Sequence, residues 1–90
     1  MDTLVSIRVF CQVVELKSFA AAAERLGLSP AMASKHVMQL ERRLSTRLLN
    51  RTSRRVGLTE AGMVYFEQVR QMLDSLDEVE AVVSKATVIP

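Results

Sequence analysis

The stretch that decides the fold runs from Ala20 to Leu44, AAAAERLGLSPAMASKHVMQLERRL. Its first part is an alanine-rich helical segment ended by Gly27, a residue tolerant of positive φ. Its second part opens on Ser29-Pro30, an N-cap side chain followed by proline at the first helical position, where the missing N–H costs nothing. Two short helices around a turn at Gly27-Leu28 have the grammar of a helix-turn-helix, whose second helix enters the major groove of DNA. At 100° per residue, Ala33, Val37, Leu40 and Leu44 fall in one narrow arc. Ala31, Ser34, Lys35, Met38 and Arg42 spread over the opposite side. Small residues near the helix start allow close approach, and donors behind them reach base edges and phosphates. An ordinary surface helix also has a polar outer face, so the pattern alone leaves both readings open. Met32, His36, Gln39 and Arg43 fall between the faces. For His36, the only histidine of a chain with one cysteine, a phosphate contact or simple exposure is expected ahead of metal ligation.

Toward the N-terminus, Asp2 or Thr3 caps a first helix reaching about Leu16, with Leu4, Ile7, Phe10, Cys11 and Val14 on its core side. Val5 and Val13 lie off that stripe and point to cover on a second side. Lys17-Ser18 breaks the helix, and Ser18 caps the next one, Phe19 to Leu26, in which Phe19, Ala22, Ala23 and Leu26 share a face. The four alanines allow a neighbouring helix to approach closely, and Leu28 plugs the core at the turn. Cys11 has no disulfide partner in the chain and reads as a core thiol.

Beyond Leu44 the period changes. In Thr46 to Leu58, TRLLNRTSRRVGL, Leu48-Leu49 and Val56-Gly57-Leu58 flank the polar basic tip Asn50-Arg51-Thr52-Ser53-Arg54-Arg55, which predicts a two-stranded wing placed on the DNA backbone or in the minor groove. Thr59 caps the last helix and Glu60 complements its positive end. No proline interrupts Glu60 to Lys85, a helix on the order of 40 Å at 1.5 Å per residue. Met63, Phe66, Val69, Leu73 and Leu76 form one seam for the domain. Tyr65, Val69, Met72, Leu76, Val79 and Val83 form a second, rotated seam that needs a partner, most economically the same helix of a second chain. A frayed end beyond about Leu76, or cover by a further domain, is the alternative. The terminal Ala86 to Pro90 reads as non-helical.

Composition sets the frame. Ninety residues, 49% apolar, 24% charged and 4% aromatic, fit one mainly helical domain with a single modest core. No apolar run has membrane-spanning length and the N-terminus lacks a basic n-region, so a cytoplasmic protein is expected. The net charge of +2 conceals polarity along the chain. Lys35, Arg42, Arg43, Arg47, Arg51, Arg54 and Arg55 face only Glu41 over residues 35–55, whereas residues 60–80 hold Glu60, Glu67, Asp74, Asp77, Glu78 and Glu80 against Arg70. A basic middle suits a phosphate-binding surface, and by itself suits a solvated face equally well. With one histidine, one cysteine and no glycine-rich phosphate loop, no nucleophile–base pair or metal set can be assembled, so neither an enzyme nor a cofactor is expected. A protein-interaction module that merely docks through its last helix stays open, and steep salt dependence of DNA binding is the discriminator.

The run from Phe19 to Pro30, then Ser34-Lys35, Leu40-Glu41, Leu48-Leu49-Asn50-Arg51-Thr52, Arg54-Arg55 and Leu58-Thr59-Glu60-Ala61-Gly62, resembles the N-terminal DNA-binding region of LysR-type transcriptional regulators over essentially the whole chain. The resemblance implies a winged helix-turn-helix, a three-helix core plus a two-stranded wing, followed by a linker helix that dimerises it. It also implies a much larger effector-binding domain that these residues do not contain, so an isolated piece or an incomplete protein is expected. By position, Ser29, Pro30, Ser34 and Lys35 match recognition-helix sites near DNA, and Arg54 matches a wing arginine placed in the minor groove. Lys35 stands where the family more often has arginine, and Ala33 where a larger aliphatic is usual.

The expected layout is a winged domain over residues 1–58, a linker and dimerisation helix over 59–86, and a hinge or truncated end over 87–90. The expected function is sequence-specific binding of double-stranded DNA by a homodimer on a roughly palindromic site, regulating transcription. Base reading is assigned to Ser29, Pro30, Ala31, Ser34, Lys35 and Met38. Backbone or minor-groove contact is assigned to His36, Arg42, Arg51, Thr52, Ser53, Arg54 and Arg55. Tyr65, Val69, Met72, Leu76, Val79 and Val83 are assigned to the dimer interface.

Overall fold

The computed structural model describes residues 2–51 and 56–88. Three helices, α1 (Thr3–Leu16), α2 (Phe19–Leu26) and α3 (Pro30–Leu44), precede strands β1 (Leu49–Arg51) and β2 (Val56–Leu58) and a long helix α4 (Glu60–Val88). Each of the first three helices starts on the side chain that the sequence nominates. The Asp2 carboxylate accepts from the Leu4 N–H at 2.9 Å, the Ser18 hydroxyl from Ala21 at 3.0 Å and the Ser29 hydroxyl from Met32 at 3.2 Å. Such caps contribute about 1 kcal/mol each by satisfying orphan donors of the first turn. All three helices end in the left-handed region, at Gly27 (φ 70°), Lys17 (φ 55°) and Ser45 (φ 51°). The last two do so with a Cβ, at a modest conformational cost.

The core forms where α1 packs against α2, α3 and α4. Because α1 is covered on more than one side, its buried set is wide: Ser6, Ile7, Val9, Phe10, Cys11 and Val13. This corrects the stripe expected for it. Leu4 is exposed because it lies on an uncovered first turn, Val14 is only half-buried, and Val13, nominally off the stripe, is fully enclosed. Desolvation by burial raises the Cys11 thiol to about 11, outweighing the opposing pull of Arg70, so it stays protonated and inert at neutral pH. Ala22, Ala23 and Ala33 are all buried at α2 and α3. The absence of a large aliphatic at 33 is thus matched by alanines on the facing helix, which lets the two approach closely. Leu26 and Leu44 also depart from their expected core faces. Each is the last residue of its helix and is exposed past the neighbouring elements.

The wing is antiparallel, in the register Leu49↔Leu58, Asn50↔Gly57 and Arg51↔Val56. It is sewn to the rest at both ends. Glu41 of α3 accepts from the Leu48 and Leu49 N–H groups through one carboxylate oxygen, at 2.9 and 3.2 Å. On the other side, the Thr59 N–H donates to the Leu48 carbonyl at 3.0 Å. The Thr59 hydroxyl donates to the Arg47 carbonyl at 2.7 Å while accepting from the Gly62 N–H at 2.9 Å. One threonine therefore caps α4 and clasps the residues before β1. Gly62 lies directly beneath that clasp, where a Cβ would sit 2.0 Å from the Leu48 carbonyl oxygen.

Helix α4 runs to Val88, two residues past its expected end and into the stretch read as non-helical. Its inner seam is narrower than expected. Gly62, Val69 and Leu73 are buried, with Tyr65 and Phe66 half-buried as they meet the Phe10 ring at centroid distances of 5.6 and 6.3 Å. Met63, assigned to that seam, is 53% exposed, because it falls about 100° round the helix from Gly62. Two ion-pair links, Arg8 to Asp77 at 3.1 Å and Arg70 to Glu15, hold α4 against α1. Past Asp77 every side chain described is exposed.

Candidate nucleic-acid interface

Helix α3 has an inner and an outer face because its sequence has two compositions. Ala33, His36, Val37 and Leu40 are buried. On the far side Ala31, Lys35, Met38 and Arg42 are exposed, falling within about 60° of one another at 100° per residue. These four make a protruding strip with an apolar foot and two cations, flanked at the N-terminus by exposed Ser29 and Pro30. Ser29 cannot act only as a reader, since its hydroxyl already accepts the Met32 N–H. Ser34 is half-buried at the edge of the strip that faces the wing. The strip suits an element that enters a groove: Pro30 and Ala31 at its start are small, and Lys35 and Arg42 supply donors behind them.

His36 is a correction. It was assigned to the DNA backbone, yet it is 5% exposed and its Nδ1 lies 2.8 Å from the Ser6 hydroxyl of α1. Ser6 is itself buried, and its hydroxyl also lies 3.1 Å from the Asp2 carbonyl. The reason is geometric: at its helical angle His36 borders the apolar arc, and α1 supplies a hydroxyl there to satisfy the ring. The signal was present as a serine amid the apolar residues of α1, but pairing it with a residue thirty positions on needs the tertiary fold.

Arg51 is exposed and already has partners within the domain. Its guanidinium lies 5.1 Å from the Phe19 ring centroid, with one amino group 3.4 Å from the Ser34 hydroxyl and the other 3.5 Å from Glu41. Thr52, Ser53, Arg54 and Arg55 lie outside the described residues. Of the dimer-interface set, Val69 is buried in its own domain and Tyr65 packs on Phe10, so Val69 cannot face a partner. Met72, Val79 and Val83 are exposed as expected and Leu76 is half-buried, and Ala61, Val64 and Val82 extend the exposed apolar strip. Among the described residues no group of His, Cys, Asp or Glu could hold a metal ion, and no helix is long and apolar enough to cross a membrane.

A family description, the bacterial regulatory helix-turn-helix protein of the lysR family, matches residues 4–63. The chain belongs to the LysR family. This LysR chain is 47% identical over 87 residues to an uncharacterised HTH-type transcriptional regulator of Haemophilus influenzae, covering 97% of this chain and 30% of that one. It is 42% identical over 90 residues to an HTH-type transcriptional repressor of Pseudomonas aeruginosa, covering 100% and 28%. Among solved structures, its fold is similar to the crystal structure of the BenM DBD/catB site 1 DNA complex, with a TM-score of 0.87 and 30% identity over 94% of this chain and 93% of that one. The LysR chain thus spans about 30% of the length of the curated relatives it matches.

Proposed function

We propose that this LysR-family domain binds double-stranded DNA sequence-specifically as a two-fold dimer and thereby regulates transcription. The observation that carries the reading is the exposed strip of α3, Ala31, Lys35, Met38 and Arg42, backed by a fully packed inner face. Lys35 and Ser34 read base edges, with Pro30, Ala31 and Met38 in apolar contact and Ser29 beside them. Arg42, together with Thr52, Ser53, Arg54 and Arg55 of the wing, holds phosphates or the narrow groove. Residues 1–58 form the reading unit and the helix from residue 59 the spacer that pairs it. The protein acts in the cytoplasm, without catalytic activity, and its effector-binding domain would follow the spacer helix.

The dimer reading rests on α4. Ala61 and Val83 lie equally far along the helix from Met72, with Val64 on the first arm and Val79 and Val82 on the second at broadly similar distances. The first arm borders an open apolar groove of about 450 Å³ lined by Leu44, Thr46, Leu48, Ala61, Val64, Tyr65 and Gln68. The second is an exposed apolar face of α4 alone, made by Val79, Val82 and Val83 beside Ser75 and Glu78. A two-fold axis through Met72 lays each arm of one α4 on the opposite arm of its partner, which makes the surface self-complementary. Half-sites one helical turn of B-DNA apart, about 34 Å or a multiple, suit such a pair.

The test is selection of bound duplexes from random DNA, followed by titration of the enriched site. Lys35→Ala is expected to relax preference at one or two base pairs, at a cost of about 1–3 kcal/mol in discrimination. Unchanged affinity and preference in that variant would remove α3 as the reading element. A flat response of affinity to salt would instead favour a protein-docking module.

A further inference from the structure

We propose that Arg51 is a positioning residue: it aims the Ser34 hydroxyl of α3 at the DNA as a hydrogen-bond donor and sets the spacing of the wing from that helix, instead of gripping a phosphate. This rests on α3 being the reading element.

The guanidinium has partners on three elements. Its central carbon lies over the ring of Phe19 at the start of α2, 5.1 Å from the centroid, a separation at which the ring quadrupole attracts the cation. One amino group donates to the Ser34 hydroxyl at 3.4 Å and the other to a Glu41 oxygen at 3.5 Å. Ser34 and Glu41 are two helical turns apart on one edge of α3, and their side chains converge on the two ends of the fork. The second Glu41 oxygen holds the Leu48 and Leu49 N–H groups that lead into β1, where Arg51 itself pairs with Val56. The carboxylate and the guanidinium therefore close a ring of contacts from reading helix to wing and back.

Two consequences follow from donor and charge counting. Arginine offers only donors, so Ser34 can meet it only as an acceptor, and the single hydroxyl proton of Ser34 is left to point elsewhere. In a major groove that proton suits an acceptor on a base edge: purine N7, guanine O6 or thymine O4. The charge of Arg51 is matched by Glu41, which leaves little of it to displace counterions from DNA. Lysine cannot substitute, because it has neither the plane that lies on Phe19 nor the fork that reaches Ser34 and Glu41 together.

The experiment compares Arg51→Lys, Ser34→Ala and the double variant on the duplex enriched by the wild-type protein and on an unrelated duplex, each over a range of salt. Thermal melts followed by circular dichroism accompany them. Arg51→Lys keeps the charge, so affinity for the unrelated duplex and the salt slope should stay as in wild type. Affinity for the enriched duplex should fall about tenfold, the worth of one lost base-edge hydrogen bond. Ser34→Ala should relax the same base pair, and the double variant should be no worse than either single one. The proposal is overturned if Arg51→Lys behaves as wild type on both duplexes while Arg51→Ala lowers the salt slope by about one, the mark of a phosphate contact. It is overturned equally if Arg51→Lys weakens both duplexes in step with a lower melting temperature, which would make Arg51 only a brace for the fold. A wild-type selection that enriches no site removes the reading helix itself; an enriched site with an indifferent Arg51→Lys removes only the role given to Arg51.

Discussion

Val79→Glu is expected to weaken binding to a complete two-half-site duplex by about 100-fold or more while leaving each winged domain folded. Val79 is 59% exposed and lies beyond the core's reach along α4, so the substitution adds a charge to a surface that a single chain leaves in water. In a pair of chains related through Met72, the same position comes against the partner's first arm near Tyr65, and symmetry introduces the charge twice. Burying two unpaired carboxylates costs more than such an interface returns. The loss on DNA exceeds that of any single contact because each reading head then binds alone, without the effective concentration its tether supplied. Sedimentation should show monomers at concentrations where the wild type is dimeric, and affinity for an isolated half-site should hardly change. A variant that stays dimeric with wild-type affinity would refute the interface.

Gly62→Ala should cost about 3 kcal/mol of stability, near the upper end for an overpacked position. The new Cβ would meet the Leu48 carbonyl oxygen at 2.0 Å and the carbonyl carbon at 2.9 Å. Both are backbone atoms, and no rotamer change can relieve the clash. The Leu48 carbonyl also receives the Thr59 N–H, so moving it opens the clasp that starts α4 and the entry to β1 together. For a domain of this size the melting temperature should drop by roughly 12–24 °C, read by circular dichroism. A drop under about 3 °C would mean that α4 can slide off Leu48 freely.

These two residues illustrate what the chain discloses before it folds. Gly62 stands in the run Leu58 to Gly62 that carries the family resemblance, yet no periodicity says that a carbonyl waits beneath it. The caps Asp2, Ser18, Ser29 and Thr59 were legible because each acts within its own first turn. The inner arc Ala33, Val37 and Leu40 was legible because helical spacing is local as well. His36 and Val69 were misplaced for one shared reason. Each lies at the border between two faces, where a helical wheel or a charge run cannot say which neighbour arrives. Ser6 arrived for His36; α1 arrived for Val69. Glu41 is the plainest case. As one acid among seven bases it looked incidental, and it turned out to hold the wing's backbone and its arginine at once.

If α4 pairs two chains as proposed, order at its exposed end becomes a function of protein concentration. From Glu78 to Lys85 every side chain is exposed, and a helical segment this short is marginal in water without tertiary support. In the proposed dimer its last turns would draw their stability from the partner chain. Dilution should unravel them before the winged domain loosens. Hydrogen exchange at the amides beyond Glu78 should quicken on dilution below the dimer dissociation constant, while those of α1 and α3 keep their rates; concentration-independent protection there would show that the tail holds itself. The spacer, on this view, is rigid only in company, so that one chain alone carries a reading head on a softening stalk.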